Sequence, residues 1–170
     1  MGGAWRAVLL RLLHGGERLT PDLTFYHARP PGSPRWPEDL QPSPTLREFY
    51  ELCDGGQFSV CRWLPLAEAL QATKDLVDPD EEFGTDITWG RHLVFGVDEL
   101  PCLYVWDAAG DIVLTADDSG RFGGEAWPRL GEFLDQLFVG FAERGVGAGW
   151  AEAIKRVSAE PDSVLSSGDS

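Results

Sequence analysis

Residues 103–115 read LYVWDAAGDIVLT, and this stretch decides the fold. Two short runs of β-branched, aromatic and aliphatic residues flank a turn at residues 107–110, which ends in Gly110. Runs of this kind about a short, glycine-containing turn predict an antiparallel β-hairpin. Working outward, residues 92–95 predict a further strand, and the alternating residues 58–63 predict another.

Apolar residues at helical spacing predict helices on both sides of these strands. A short helix is predicted over residues 66–76, a long one over residues 125–144, and a last one around residues 150–157. Near the amino terminus, Arg6 and Arg11 interrupt an apolar run, which indicates a packed amphipathic helix rather than a signal peptide. The apolar stripe of that first helix consists of Trp5, Val8, Leu9, Leu12 and Leu13. The wide stripe of the long helix consists of Trp127, Leu130, Phe133, Leu134, Leu137, Phe138 and Phe141.

A further helix begins at Ser43 and Pro44, because serine is a favoured N-cap and proline is tolerated at the first helical position. Its buried stripe is predicted to consist of Leu46, Phe49, Tyr50 and Cys53. Residues 54–56, Asp-Gly-Gly, are expected to end it through a glycine in the left-handed conformation.

The order of these elements predicts an α+β fold with a central antiparallel meander flanked by helices. We expect one domain over residues 1–157, with an added amino-terminal helix (1–16) and a proline-rich connection (20–42). That connection is predicted to hold one short strand at residues 23–26, and residues 119–124 are predicted to form a loop. The polar residues 158–170 are expected to be a disordered tail.

The charge of the chain excludes some partners. Fourteen basic against 28 acidic residues give a net charge of −14. Such a surface repels nucleic acid and anionic lipid and attracts a basic partner, although acidity can also serve solubility alone. No stretch is long enough to span a membrane. Cys53, Cys61 and Cys102 are odd in number and lack zinc or redox spacing, which fits a reduced, cytoplasmic setting.

The motif Leu46-x-x-Phe49-Tyr50-x-x-x-Asp54-Gly55-Gly56 resembles the hallmark of the SUKH superfamily, which includes fungal cell-wall-assembly regulators and bacterial immunity proteins. The resemblance continues through residues 94–96 and covers residues 44–138 in order. Its later motif positions are Tyr104, Trp106, Gly110, Trp127 and Phe133. Asp54 stands where the family usually has asparagine.

This resemblance implies a binding domain without an active site. Bacterial members of the family often neutralise a toxin by direct binding. Together with the net charge, the resemblance therefore implies an immunity protein whose acidic face meets a basic toxin domain. The alternative within the same family is a regulatory scaffold domain with a housekeeping protein partner.

An enzyme remains a further alternative, and few residues favour one. His14, His27 and His92 show no metal-ligand spacing, and no cofactor motif is present. Cys102 with His92 on a neighbouring strand is one conceivable nucleophile pair, and Asp117 with Asp118 is a conceivable carboxylate pair. A turn at a hairpin exit also explains the two aspartates.

Residues 78–86 hold five carboxylates in nine positions, with Phe83 among them. Alternating Asp78, Asp80 and Glu82 resemble calcium ligands, but the glycine and distal glutamate of an EF-hand are missing. An exposed aromatic residue among charges is typical of a protein interface, whereas a Phe83 that packs inward would indicate an ordinary surface loop. The predicted partner-binding residues are Asp78, Asp80, Glu81, Glu82, Phe83, Asp86, Asp98, Glu99, Asp117 and Asp118.

Overall fold

The computed structural model describes residues 4–15, 26–58, 61–77, 84–98 and 102–144. In chain order the elements are α1 (Ala4–Gly15), β1 (Tyr26–Ala28), α2 (Pro44–Leu52), β2 (Gly56–Phe58), β3 (Cys61–Trp63), α3 (Leu66–Leu76), β4 (His92–Val97), β5 (Leu103–Asp107), β6 (Ile112–Ala116), β7 (Phe122–Trp127) and α4 (Leu130–Arg144). The predicted helix at 150–157 and the tail at 158–170 lie outside the described residues.

The seven strands form one antiparallel sheet in which each strand pairs with its neighbours in sequence. The hairpin predicted from residues 103–115 is formed by β5 and β6, in which Trp106 pairs with Val113 and Asp107 pairs with Ile112. Gly110 turns the chain with φ +89°, a conformation that glycine adopts without strain. The predicted α+β class and its central meander are confirmed.

One face of the sheet carries the main hydrophobic core. Helices α1, α2 and α4 supply Leu9, Phe49 and Leu134 to it, and all three side chains are fully buried. At the centre, the Phe49 and Trp63 rings stack with their centroids 3.9 Å apart. The predicted amphipathic helix α1 is confirmed: Trp5 is 2% exposed and its backbone N–H donates to Asp135 on α4.

The other face of the sheet carries a smaller apolar cluster under α3 and residues 84–91. Ile87, Val94 and Val105 are buried in it. Thr73 joins α3 to the sheet, because its hydroxyl donates to Ala69 O and accepts the Val94 N–H at 2.8 Å. That bond lies beside an irregularity of β4 between Val94 and Gly96.

Helix α2 begins as predicted and ends differently. The Ser43 hydroxyl accepts the Leu46 N–H, and the stripe Leu46, Phe49 and Tyr50 is buried. The helix ends at Leu52 because Cys53 is extended, with φ −155°. The left-handed glycine therefore does not cap the helix; Gly55, with φ +79°, instead turns the chain into β2.

Two strand predictions are wrong in their bounds. Residues 58–63 do not form one strand, since Phe58 ends β2 and Cys61 begins β3, and the two residues pair across a hairpin. The strand expected at residues 23–26 is β1 at Tyr26–Ala28, and residues 23–25 lie outside the described part.

The region before α4 is also corrected. Residues 122–124 belong to β7 rather than to a loop, and α4 begins at Leu130 rather than near residue 125. Trp127 therefore lies on β7. Its ring still packs edge-on against Phe133, with the centroids 4.9 Å apart, and its indole N–H donates to Gln136.

Candidate functional site

The sheet register brings four of the predicted partner-binding residues to one end of the sheet. Val97 pairs with Leu103, Leu103 with Ala116, and Ala116 with Phe122. Asp98 after β4 and the pair Asp117 and Asp118 after β6 therefore leave the sheet at the same end as the start of β7. Asp86 joins them, because its backbone N–H donates to Gly120 O and its Oδ2 accepts the Phe122 N–H at 2.9 Å. We call Asp86, Asp98, Asp117 and Asp118 the acidic end.

Asp117 organises the β6–β7 turn. Its Oδ1 accepts the Ser119 N–H, the Ser119 hydroxyl at 2.7 Å and the Arg121 N–H. The Ser119 hydroxyl bond, followed by the backbone bond from Arg121, lowers the pKa of Asp117 below its ordinary value. The carboxylate thus stays charged well below neutral pH. Asp118, the next residue, is exposed, and its side chain forms no hydrogen bond or ion pair with any described residue.

Asp98 plays a similar part in the β4–β5 connection. Its Oδ1 accepts the Cys102 N–H at 2.9 Å, and its Oδ2 accepts the Tyr104 hydroxyl at 3.2 Å. Three carboxylates of the acidic end are therefore held in place, Asp98 and Asp117 by donors of their own connections and Asp86 by the Phe122 N–H of β7, so little conformational entropy is lost when a partner contacts them. The other predicted partner-binding residues lie outside the described part of the chain: Asp78, Asp80, Glu81, Glu82, Phe83 and Glu99.

A cluster of an exposed arginine and two buried polar side chains, Asp107 and His92, lies where β4 begins. Arg91 donates two hydrogen bonds to Asp107, from Nε at 3.0 Å and from a terminal nitrogen at 3.1 Å. His92 lies beside them: its Nδ1 accepts the Thr88 N–H, and its Nε2 is 3.4 Å from Asp107 Oδ2. The Phe122 ring packs edge-on against the imidazole.

The pKa values of this cluster move in directions that follow from burial and partners. Burial lowers the pKa of His92 below its ordinary value, although Asp107 favours the charged form. Burial would raise the pKa of Asp107, but the hydrogen bonds from Arg91 and from the Ala109 N–H outweigh it, and the net shift is downward. At neutral pH these directions favour a neutral imidazole beside an ionised carboxylate.

The conceivable Cys102 and His92 nucleophile pair is contradicted. His92 pairs with Asp107 at one end of β5, whereas Cys102 precedes the other end. Five extended residues separate these positions along the strand, on the order of 16 Å. Burial also raises the pKa values of Cys53 and Cys61 to about 12, which keeps both thiols protonated. As for the Asp117 and Asp118 pair, the Asp117 carboxylate is engaged in the turn.

The family-motif positions lie in the core and in turns. Leu46, Phe49, Tyr50 and Trp106 are buried, and the Trp106 indole N–H donates to Asp111 at 2.6 Å. Tyr104 packs against Phe133, with ring centroids 5.3 Å apart. Asp54 accepts the Leu66 N–H at the start of α3, and Gly56 pairs with Trp63 across β2 and β3. These positions therefore build the fold, and Asp54 also borders a groove.

That groove, of about 420 Å³, was not predicted from the sequence. It lies between the proline-rich segment at residues 32–35 and the outer side of α3, with Tyr50 and Asp54 at its base. Arg35 stands on the first wall and Lys74 on the second. The sequence gives little indication of this groove because its two walls are some forty positions apart and no short motif joins them.

Within the described residues, no group of three or more histidine, cysteine, aspartate or glutamate side chains is placed to hold a metal ion. The same part of the chain contains no helix whose length and apolar character would let it cross a bilayer.

Comparison of the chain with protein-family models, with curated proteins and with solved structures found no match in any of the three.

Proposed function

We propose that this chain is a non-catalytic protein-binding domain whose acidic end docks a basic partner. The observation that carries the proposal is the convergence of Asp86, Asp98, Asp117 and Asp118 at one end of the sheet. A chain of net charge −14 attracts a basic protein from a distance, and clustered carboxylates then favour one docking orientation.

The local geometry supports docking rather than a purely solubilising role. A carboxylate whose only task is solubility needs no fixed position, whereas three of these four accept hydrogen bonds from backbone N–H groups of the fold. Ordered carboxylates offer lone pairs in fixed directions to arginine and lysine side chains. Asp118 lies exposed beside Asp117 and can contact a partner directly.

The resemblance to the SUKH superfamily narrows the proposal to an immunity protein that neutralises a toxin by covering it. The setting we propose is the reducing cytoplasm, where the buried thiols of Cys53 and Cys61 stay reduced. A housekeeping partner at the same acidic end would make the chain a regulatory scaffold, and the identity of the bound protein separates these two roles.

The test uses the full chain and the protein encoded by the neighbouring gene. We expect a complex at low salt, with an association rate that falls as NaCl is raised, because salt screens attraction between exposed charges. Asp118→Lys should weaken the complex at least about fivefold, which corresponds to about 1 kcal/mol.

The matched control is Glu51→Lys, which makes the same charge change at an exposed position on α2. It should leave the affinity nearly unchanged. If both variants weaken the complex equally, the change in net charge alone explains the effect, and this result would contradict a docking site at the acidic end. If no complex is recovered at low salt, this result counts against the immunity role.

A further inference from the structure

The groove between residues 32–35 and α3 carries two cations, Arg35 and Lys74, and one carboxylate, Asp54. Arg35 and Lys74 line its two walls, and neither forms an ion pair with any described residue. Lys74 is held with its Nζ 5.0 Å from the centroid of the Trp89 ring, and the Trp89 indole N–H donates to Asp39. Two cations and one carboxylate leave the groove a net charge of +1 in a chain of net charge −14.

The base of the groove is apolar. Leu66 is 4% exposed, and Leu70 is half-buried on the next turn of α3. The Tyr50 hydroxyl donates to Leu64 O and accepts from the Trp63 indole at 3.1 Å, so it is already satisfied within the core. What the groove offers above Tyr50 and these leucines is therefore a surface for an aliphatic side chain.

Asp54 adds a hydrogen-bond acceptor. Its Oδ1 accepts the Leu66 N–H at 3.0 Å, but its Oδ2 accepts no hydrogen bond from the described residues. Oδ2 lies beside Gly32, where a Cβ would come within 3.4 Å of it. A ligand with an N–H group can donate to this oxygen, and an extended polypeptide presents such a group at almost every residue.

We propose that this groove binds an extended segment of a partner protein in which a carboxylate side chain lies next to an aliphatic one. The carboxylate contacts Arg35 and Lys74, the aliphatic side chain packs on Leu66 and Leu70, and a backbone N–H donates to Asp54. The volume of about 420 Å³ falls within the roughly 300–1,000 Å³ of typical ligand clefts. At physiological salt the Debye length is about 8 Å, so the charges of the groove itself, two cations and the Asp54 carboxylate, outweigh more distant acidic groups.

The test is fluorescence anisotropy with the full chain and a labelled acetyl-Glu-Leu-Glu-Leu-Glu-amide peptide. We expect saturable binding, and we expect Arg35→Gln and Lys74→Gln each to weaken it at least about fivefold, which is about 1 kcal/mol. The matched control is Arg47→Gln, an exposed arginine on α2 that does not line the groove. It should leave the affinity unchanged.

Three results would overturn the proposal: equal affinity for the glutamine version of the peptide, equal weakening by Arg47→Gln, or no binding at millimolar peptide. A fourth arm uses octanoate, which has a carboxylate and an aliphatic tail but no N–H group. Displacement of the peptide by octanoate at equal affinity would assign the groove to a free carboxylic acid instead. Because Asp118→Lys leaves the groove intact, failure of the acidic-end proposal and failure of this one are distinguishable.

Discussion

At the scale of single residues, His92 and Asp107 are buried side by side, with 3% and 4% of their surfaces exposed. The Thr88 N–H occupies the lone pair of His92 Nδ1, so protonation at that nitrogen breaks a hydrogen bond as well as burying a charge. Asp107 and the more distant Asp86 favour the charged form, but Arg91 opposes it together with burial. The folded chain therefore binds a proton at His92 less readily than the unfolded chain does.

The first prediction concerns pH. Because the folded-state pKa of His92 lies below its ordinary value of 6.5, the unfolded state binds more protons between those two values. The free energy of unfolding should therefore fall as pH drops from about 7 through this window. In His92→Asn, where an amide oxygen can replace Nδ1 as the acceptor, that part of the pH dependence should disappear. Urea unfolding at several values between pH 5 and 7.5 measures both slopes, and equal slopes would contradict the prediction.

The pH range separates His92 from its neighbour. Because the pKa of Asp107 is lowered in the folded state, its carboxylate contributes its full stabilisation at pH values above the ordinary pKa of 3.8. That stabilisation is lost only as the pH falls through the lower pKa of the folded state. Measurements above pH 5 thus report mainly on histidine, and subtraction of the His92→Asn slope removes the part of the pH dependence that both proteins share.

The second prediction concerns Gly55. A Cβ there would lie 2.8 Å from the carbonyl carbon of Leu64, and φ +79° is a strained conformation for other residues. Left-handed backbone alone costs about 1–3 kcal/mol, and the backbone clash adds to it. Gly55→Ala should lower the free energy of unfolding by more than about 2 kcal/mol, measured by urea denaturation.

The matched control for Gly55 is Gly124→Ala. A Cβ at Gly124 would have nothing within 4 Å, so the change should stay within about 0.5 kcal/mol. A loss in Gly55→Ala as small as that in Gly124→Ala would show that the turn into β2 does not need glycine.

At the scale of elements, α1 belongs to the core. Leu9 is fully buried, and the Trp5 ring lies 6.2 Å from that of Phe49. Removal of a buried leucine side chain to alanine costs about 2–5 kcal/mol. We therefore expect Leu9→Ala to lower the free energy of unfolding by that amount and to lower the thermal midpoint with it.

The control for α1 is Arg6→Ala on the exposed side of the same helix. Arg6 pairs with Glu48, and an exposed pair of this kind contributes at most about 1 kcal/mol. Calorimetry of the two variants compares them directly. A small loss for Leu9→Ala would mean that α1 adds little to the stability of the domain.

Elements with a strong periodic pattern could be predicted from the sequence, and those with an ambiguous one could not. The β5–β6 hairpin and α3 follow from spacing and turn residues. Trp127 has the helical spacing to Leu130 and Phe133, but its position is equally compatible with a strand. The prediction from helical spacing therefore assigned it to the wrong element. Gly123 and Gly124 have no side chains, so this part of β7 leaves no alternating pattern in the sequence. A Cβ at Gly123 would lie 3.1 Å from the Thr115 hydroxyl, a close approach between strands that the sequence does not reveal.

At the scale of the whole molecule, the candidate site depends on strand register, which a single sequence does not reveal. Asp98 and Asp117 could be named as acidic residues, but their arrival at one end of the sheet follows from the pairing of Val97, Leu103 and Ala116. The groove depends in the same way on α2, α3 and the proline-rich segment coming together. Charge can thus be read from the sequence, whereas its arrangement requires the fold.

The last prediction follows from that arrangement. Like charges gathered at one end of a chain with net charge −14 repel one another, so a docking surface of this kind lowers the stability of the free protein. Asp118→Lys should therefore raise the free energy of unfolding by a few tenths of a kcal/mol at 20 mM NaCl, and the gain should vanish at 0.5 M NaCl, where the Debye length is only a few ångströms. Glu51→Lys, with the same change in net charge, should gain less because it lies away from the acidic end. If the Asp118→Lys variant binds the partner more weakly and is also more stable as a free chain, then the carboxylates of the acidic end are retained for binding at the expense of stability. Lower stability of Asp118→Lys at low salt would contradict this view.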